Sequence, residues 1–342
     1  PILMGTLGKG FGSFGAFVGC ALDKAGHRVA FLVRRGDHAG KLSQFGLSAS
    51  CSADPAFSHR IPPSRIAVGT DPQVLQRCTY ILVCTKRVSN DHVARLLLDS
   101  NTTATTILLQ NGMGAAIDVI HAAGAAGGRL PTLVDSVVDL SSTFDEERCH
   151  VALEESLDTA LILLDGACAA SEKLADVMSS TSLIVRACAP LSDFQAGKLL
   201  VNMSNAVNAL SGLSILDMFL GDSGYRNVLA ESISEAQQVF RAGGITPHAP
   251  NPRNELQVRF FPTILRLPTC AFSLVAGRKL RGKEDAKTSM SQDLDLRYGN
   301  RVFRDGSAIM VHAWAMVICP SCELAFANDC AIDLVWIKFG VG

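Results

Sequence analysis

The stretch that most limits how this chain can fold is Gly10-Phe11-Gly12-Ser13-Phe14-Gly15, a G-x-G-x-x-G run. It follows a short apolar segment, Ile2 to Leu7, and opens a helically spaced one, Phe14 to Ala25, that closes at Gly26. Each glycine has a physical task in that setting. Gly10 permits the tight turn, Gly12 lets a pyrophosphate approach the backbone, and Gly15 lets the helix pack closely on the strand. A helix N-terminus there offers free N–H donors and the positive end of its dipole to phosphate oxygens. Among 29 glycines such spacing also arises by chance. The flanking strand and helix signals therefore carry the weight. Gly5 and Gly8 weaken the first strand and leave its register open.

The next apolar run, Val29 to Val33, has no polar alternation, as expected of a parallel strand buried on both faces. Similar runs recur at Tyr80 to Cys84, Thr106 to Leu109 and Leu133 to Leu140, with helical stretches such as Asp91 to Leu98 between them. Alternation of this kind predicts an α/β, Rossmann-type doubly wound parallel sheet. After Ala189-Pro190 the periodicity turns helical, through Leu191 to Leu220. A strong helix follows, with Leu229, Ile233, Ala236 and Phe240 on one face and Gly243-Gly244 as its stop. The expected division is a nucleotide-binding domain over residues 1–189 and a mostly α-helical C-terminal domain over 190–342. A small-molecule site is expected in the crevice between two such domains.

About twenty residues past the glycine loop, an NAD-binding unit places an Asp or Glu on the ribose hydroxyls. This chain has Val33-Arg34-Arg35 there. A carboxylate would repel a 2′-phosphate, whereas a guanidinium binds it with a forked pair of donors. Arg34 thus favours NADP as the cofactor. Two solvated arginines at a strand end are the plainer alternative.

Composition narrows the partner class. Hydrophobic residues make up 48% and charged residues 18%, with a formal net charge of -1 and no block of like charges. Such a balance favours a small-molecule partner over nucleic acid or a membrane surface. No window reaches about 18 consecutive apolar residues, the length of a membrane span. The eleven cysteines are scattered, and most read as buried thiols in a reducing compartment. Cys319-Pro320-Ser321-Cys322 has metal or redox spacing, but only Cys330 and His312 lie nearby as further ligands, so no metal is expected. Localisation reads as cytoplasmic, with mitochondrial import left open, and a homodimer is among the assemblies allowed.

Lys198, Asn202 and Asn205 stand at i, i+4 and i+7, one helix face. Leu199, Leu200, Met203 and Val207 can pack on the others, so the polar stripe reads as part of a site. Asn111 precedes Gly112 just past a strand end, where doubly wound sheets bind ligands, and Lys86 has a similar position. An Asn-Gly turn and a solvated lysine are the alternatives.

Five stretches together resemble the ketopantoate reductase (2-dehydropantoate 2-reductase) family: Gly10 to Arg34, Val83 to Lys86, Leu108 to Gly112, Lys198 to Asn202, and Ser289 to Leu294. The resemblance implies a Rossmann domain followed by a helical one. It also implies NADPH-dependent reduction of ketopantoate to pantoate, on the way to pantothenate and coenzyme A. By that likeness Lys198 is the catalytic lysine and Asn202 a substrate ligand, with Asn205 on the same face. Lys86 belongs to the cofactor site, and Asn111 positions both nicotinamide and substrate. Ser289 is implied to bind the substrate carboxylate, although Ser289 and Gln292 also fit a helix capping box.

One departure stands out. Where the family carries a Glu that binds the substrate hydroxyls, this chain reads Gly299-Asn300-Arg301. Asn300 can hydrogen-bond a hydroxyl, but Arg301 brings the opposite charge. The expected activity is therefore ketopantoate reduction. A related reductase of another 2-oxo acid or ketone, or a non-catalytic NADP-binding homologue, are the alternatives.

Overall fold

The computed structural model describes residues 2–6, 12–125, 127–280, 288, 290 and 291. Two compact units result: Pro1–Val201 with Thr246–Phe260, and Asn202–Ile245 with Phe261–Gly342.

The first unit begins as the glycine pattern requires, with β1 (Ile2–Thr6), α1 (Ser13–Lys24) and β2 (Val29–Val33). Then come α2 (Gly36–Phe45), β3 (Leu47–Cys51), β4 (Ser58–Ile61), β5 (Ala67–Gly69) and β6 (Tyr80–Val83). The chain continues through α3 (Asn90–Asp99), β7 (Thr105–Leu108), α4 (Ala115–Gly124) and β8 (Leu133–Asp139). After β9 (Ser142–Asp145), β10 (His150–Leu153), β11 (Leu161–Asp165), α5 (Ala169–Ser179) and β12 (Ile184–Cys188), a long helix α6 (Leu191–Ser211) leaves this unit after Val201.

Among the described residues, eight strands form one sheet in the order β5-β2-β1-β6-β7-β8-β11-β12. The first six are parallel, and the strand order reverses between β1 and β6, the switch point at which such sheets bind ligands. The Rossmann-type expectation is met. The sheet is nevertheless mixed, because β11 runs antiparallel to β8 and β12 parallel to β11. Between β8 and β11 the chain makes the β9–β10 hairpin instead of a helical crossover, so it returns in the opposite direction.

A four-stranded sheet, β4-β3-β10-β9, was not legible beforehand. Its strands are short, some polar as in Ser58-His-Arg-Ile, and its central pair, β3 with β10, joins segments 102 residues apart. The two ring nitrogens of His150 hydrogen-bond with the Ser48 and Ser50 hydroxyls at 2.9 Å each, tying β10 to β3. Helix α1 packs against this sheet as well as the large one. That double cover explains why Ala16, Phe17, Val18, Cys20, Ala21 and Leu22 are all at most 1% exposed. Each of the larger side chains contributes about 1.5–3 kcal/mol by its burial.

The second unit is helical where it is described. It contains the end of α6, α7 (Ile215–Leu220), α8 (Ser223–Ala242), part of α9 (Glu255–Leu265) and α10 (Thr269–Leu280). As the spacing predicts, α8 buries Leu229, Ile233 and Phe240 and stops at Gly243. Its Arg226 is 1% exposed and gathers the neighbouring helix ends. It donates to the carbonyls of Phe219, Leu265 and Leu267 and to the Thr269 hydroxyl, and lies over the Phe272 ring. No described helix is long and apolar enough to cross a membrane.

Candidate active site

Gly12 caps α1 in extended geometry (φ -61, ψ 124), and among the described residues no side chain caps that helix or places an acid in its first turn. The N–H groups of the first turn thus keep donors available to an anion. A Cβ built on Gly12 would lie 3.5 Å from the Cys84 carbonyl, an ordinary contact, so Gly12 sits against the end of β6 without glycine being needed there for packing. Ser13 and Phe14 are half-buried and Gly15 is buried; Gly10 and Phe11 lie outside the described residues.

The segments that follow β6 and β7 interlock. Gln110 donates from Nε2 to the Thr85 hydroxyl at 3.1 Å and to Asn90 Oδ1 at 2.8 Å, and Asn90 donates onward to the Ala115 carbonyl. Gln110 is 4% exposed, yet its Oε1 has no hydrogen-bond partner among the described residues. Arg87 grips both carboxylate oxygens of Asp118 and reaches the Gly114 carbonyl at 3.5 Å. Gly112 has φ +100, which favours glycine, and a Cβ there would come within 3.2 Å of the Arg87 guanidinium. On this frame Lys86 and Asn111 are exposed. The motif residues Gly12, Lys86 and Asn111 therefore sit on segments that meet at one edge. Burial pushes the Cys84 thiol at that edge well above the usual range, which favours the unreactive protonated form.

Arg34 is exposed where β2 ends. Its neighbour Arg35 binds both oxygens of Asp37, with Nε to Oδ1 at 2.9 Å, and this holds the exposed Asp37 carboxyl below its usual range. On α3, burial and then the charges of Arg34 and Arg95 hold the His92 imidazole below its ordinary pKa.

Lys198, Asn202 and Asn205 all lie on α6. Lys198 is 21% exposed and donates to Asp139 Oδ1 at 2.5 Å; Asp139 is 23% exposed. Asp139 ends β8. Asp135 is in register with Leu108, the last residue of β7, so four residues further on Asp139 stands about 13 Å past that strand end. The helix is fixed there by the segment after α8: the Asp193 carbonyl accepts from the His248 N–H at 2.9 Å. Gly197 is required, since a Cβ would lie 1.8 Å from the His248 carbonyl oxygen. Asn202 and Asn205, further along α6, are half-buried and belong to the second unit. Ser289, Asn300, Cys319 and Cys322 lie outside the described residues.

A cleft of about 530 Å³ at the start of α6 is lined by Asp135, Asp165, Pro190, Ser192 and Gln195, among others, and by none of the residues expected to act. Burial raises the Asp135 carboxyl, against the opposing hydrogen bond from the Ala116 N–H. No group of His, Cys, Asp and Glu among the described residues could hold a metal ion. Sequence reasoning missed Asp139, 59 residues before Lys198, and the Arg87–Asp118 brace. A polar residue closing an apolar strand run was the only signal for the former.

Residues 9–159 match the family described as ketopantoate reductase PanE/ApbA. Over that segment, just under half of its length, the chain is similar to the family. No curated protein matches the sequence. Solved structures with the same fold include a PanE/ApbA family ketopantoate reductase from Ralstonia eutropha JMP134, 18% identical, with 93% of each chain covered and a TM-score of 0.70. D-mandelate dehydrogenase with NADH and anilino(oxo)acetate is 17% identical, covering 94% of this chain and 95% of that one, with a TM-score of 0.66. A dimeric ketopantoate reductase from Staphylococcus aureus is 13% identical, with 93% of each chain covered and a TM-score of 0.59.

Proposed function

We propose that this protein reduces a 2-oxo acid with NADPH, with ketopantoate as the leading substrate and pantoate, a precursor of pantothenate and coenzyme A, as product. The observation that carries this reading is Lys198, held as an ammonium donor by Asp139 past the C-terminal ends of the parallel strands. Four features support a bound dinucleotide. Among the described residues no side chain caps the α1 N-terminus, Gly12 is not needed for packing, and Lys86 and Asn111 are exposed on a braced edge. Arg34 supports NADP over NAD, while Asp37 is engaged by Arg35.

The nicotinamide, when bound, supplies the hydride. As the ketone carbon gains it, charge develops on the carbonyl oxygen; Lys198 stabilises that charge and gives the oxygen a proton, then regains one from solvent. Asn111 orients nicotinamide and substrate, Asn202, Asn205 and Asn300 offer hydrogen bonds to substrate oxygens, and Ser289 binds the carboxylate. The test is NADPH absorbance on mixing with ketopantoate. Folded, NADPH-binding protein that leaves the absorbance unchanged sinks the ketopantoate assignment.

A second reading is favoured by Asn300-Arg301 at the place of the family's Glu, and by the likeness to D-mandelate dehydrogenase. In it the substrate is a 2-oxo acid without pantoyl hydroxyls, an aryl one included. A panel of 2-oxo acids separates the two by relative kcat/KM. Sedimentation tests for a homodimer, the state described for the Staphylococcus aureus enzyme.

A further inference from the structure

We infer that Asp139 is a positioning residue for Lys198, fixing the ammonium while leaving two of its three hydrogens for the substrate oxygen. The inference rests on the reading of Lys198 as the proton donor. Ion pairs on open surfaces seldom hold one geometry, because long side chains lose too much freedom and water screens the charges. This pair differs on both counts. Each side chain is roughly four-fifths buried, and each stands on an element fixed independently of the pair. Asp139 is in register with Leu161 of β11, on a strand that also pairs with β7. Lys198 follows Gly197, whose backbone touches the His248 carbonyl closely enough to exclude any Cβ. The backbones are thus set, and the flexible four-carbon stem is the only loose part. The carboxylate at its tip removes that freedom.

Asp139 need not touch substrate to matter. A proton donor must sit within hydrogen-bond reach of the developing oxyanion, and an ammonium free to sample rotamers spends little time there. Asp139 holds no proton in this scheme; it selects the rotamer from which Lys198 donates.

The experiment compares wild type, Asp139→Asn, Asp139→Glu and Lys198→Ala, all checked for thermal unfolding and NADPH binding. Acylation of each lysine by acetic anhydride is followed by peptide mass spectrometry, a readout that needs no substrate. Release from the carboxylate should raise Lys198 acylation several-fold in Asp139→Asn, with exposed Lys41 and Lys173 unchanged as internal controls. With the 2-oxo acid turned over fastest, Asp139→Asn should lower kcat by about ten- to a hundredfold at unchanged KM for NADPH, and Asp139→Glu should restore part of it. Equal Lys198 acylation in wild type and Asp139→Asn overturns the inference. So does a kcat for Asp139→Asn equal to wild type while Lys198→Ala is inactive, which leaves the proposed function standing. Full turnover in Lys198→Ala overturns the proposed function itself, and the inference with it.

Discussion

At the edge formed by Gly12, Cys84 to Lys86 and Asn111, the protein fixes its backbone and leaves the functional side chains exposed; at Lys198 it fixes the side chain. The first region is held by hydrogen bonds from Gln110 and by the Arg87 brace, and Lys86 and Asn111 on it are exposed, as is Arg34 at the end of β2. The second consists of one ion pair between two rigid elements. The difference matches the role proposed for each. A dinucleotide brings its own charges and can order long side chains as it docks, while a proton donor has to be in place before charge develops.

The largest effect should separate the regions outright. Lys198→Ala is expected to lower kcat by about 10²–10⁴-fold, the range for losing a general acid, with NADPH affinity unchanged in a fluorescence titration. Weakened NADPH binding in that variant would mean that the regions are not separate. Next, Arg34→Ala should cut the preference for NADPH over NADH by about ten- to a hundredfold, read as the ratio of kcat/KM values, because one charge-assisted forked contact is lost. An unchanged ratio would remove Arg34 from the cofactor site.

Arg87→Ala tests whether the nucleotide edge depends on its backbone. It leaves Asp118 partly buried without its guanidinium, and a stability loss of about 1–3 kcal/mol in denaturant titration should accompany a raised KM for NADPH. Stability loss with an unaltered KM would show that the brace serves the fold alone.

The smallest effect is electrostatic. His92 is held below its ordinary value by burial and by the charges of Arg34 and Arg95, so the folded state binds fewer protons there than the unfolded chain. Its contribution is neutral above the unfolded imidazole pKa, and stability is lost as pH falls through that value. A 2′-phosphate on Arg34 would offset the guanidinium charge. His92 should therefore titrate higher with NADP bound than with NAD, in imidazole NMR spectra. Identical titrations would place the phosphate elsewhere.

The first region was the more legible in the sequence for the same physical reason that separates it from the second. Backbone geometry leaves a local signature, as with glycines at Gly12 and Gly112 and apolar runs that end at Val83 and Leu108. Five of the six parallel strands and the α8 face could be read in that way; the three-residue edge strand β5 could not. The Lys198 face could be read from its i, i+4, i+7 spacing, but its partner Asp139 could not, since nothing local links a strand end to a helix 59 residues later. The four-stranded sheet was hidden likewise. Its segments carry no apolar run, and pairs such as Ser48 with His150 depend on contacts between distant parts of the chain.

The central claim is that Lys198 donates the proton in an NADPH-dependent reduction. Its most direct test is NADPH absorbance during turnover of a 2-oxo acid panel that includes ketopantoate, for wild type beside Lys198→Ala, both shown to be folded and to bind NADPH. The account predicts rapid loss of absorbance with wild type on at least one acid and next to none with the variant. Equal rates for the two proteins, or no reduction of any acid by wild type, would contradict it.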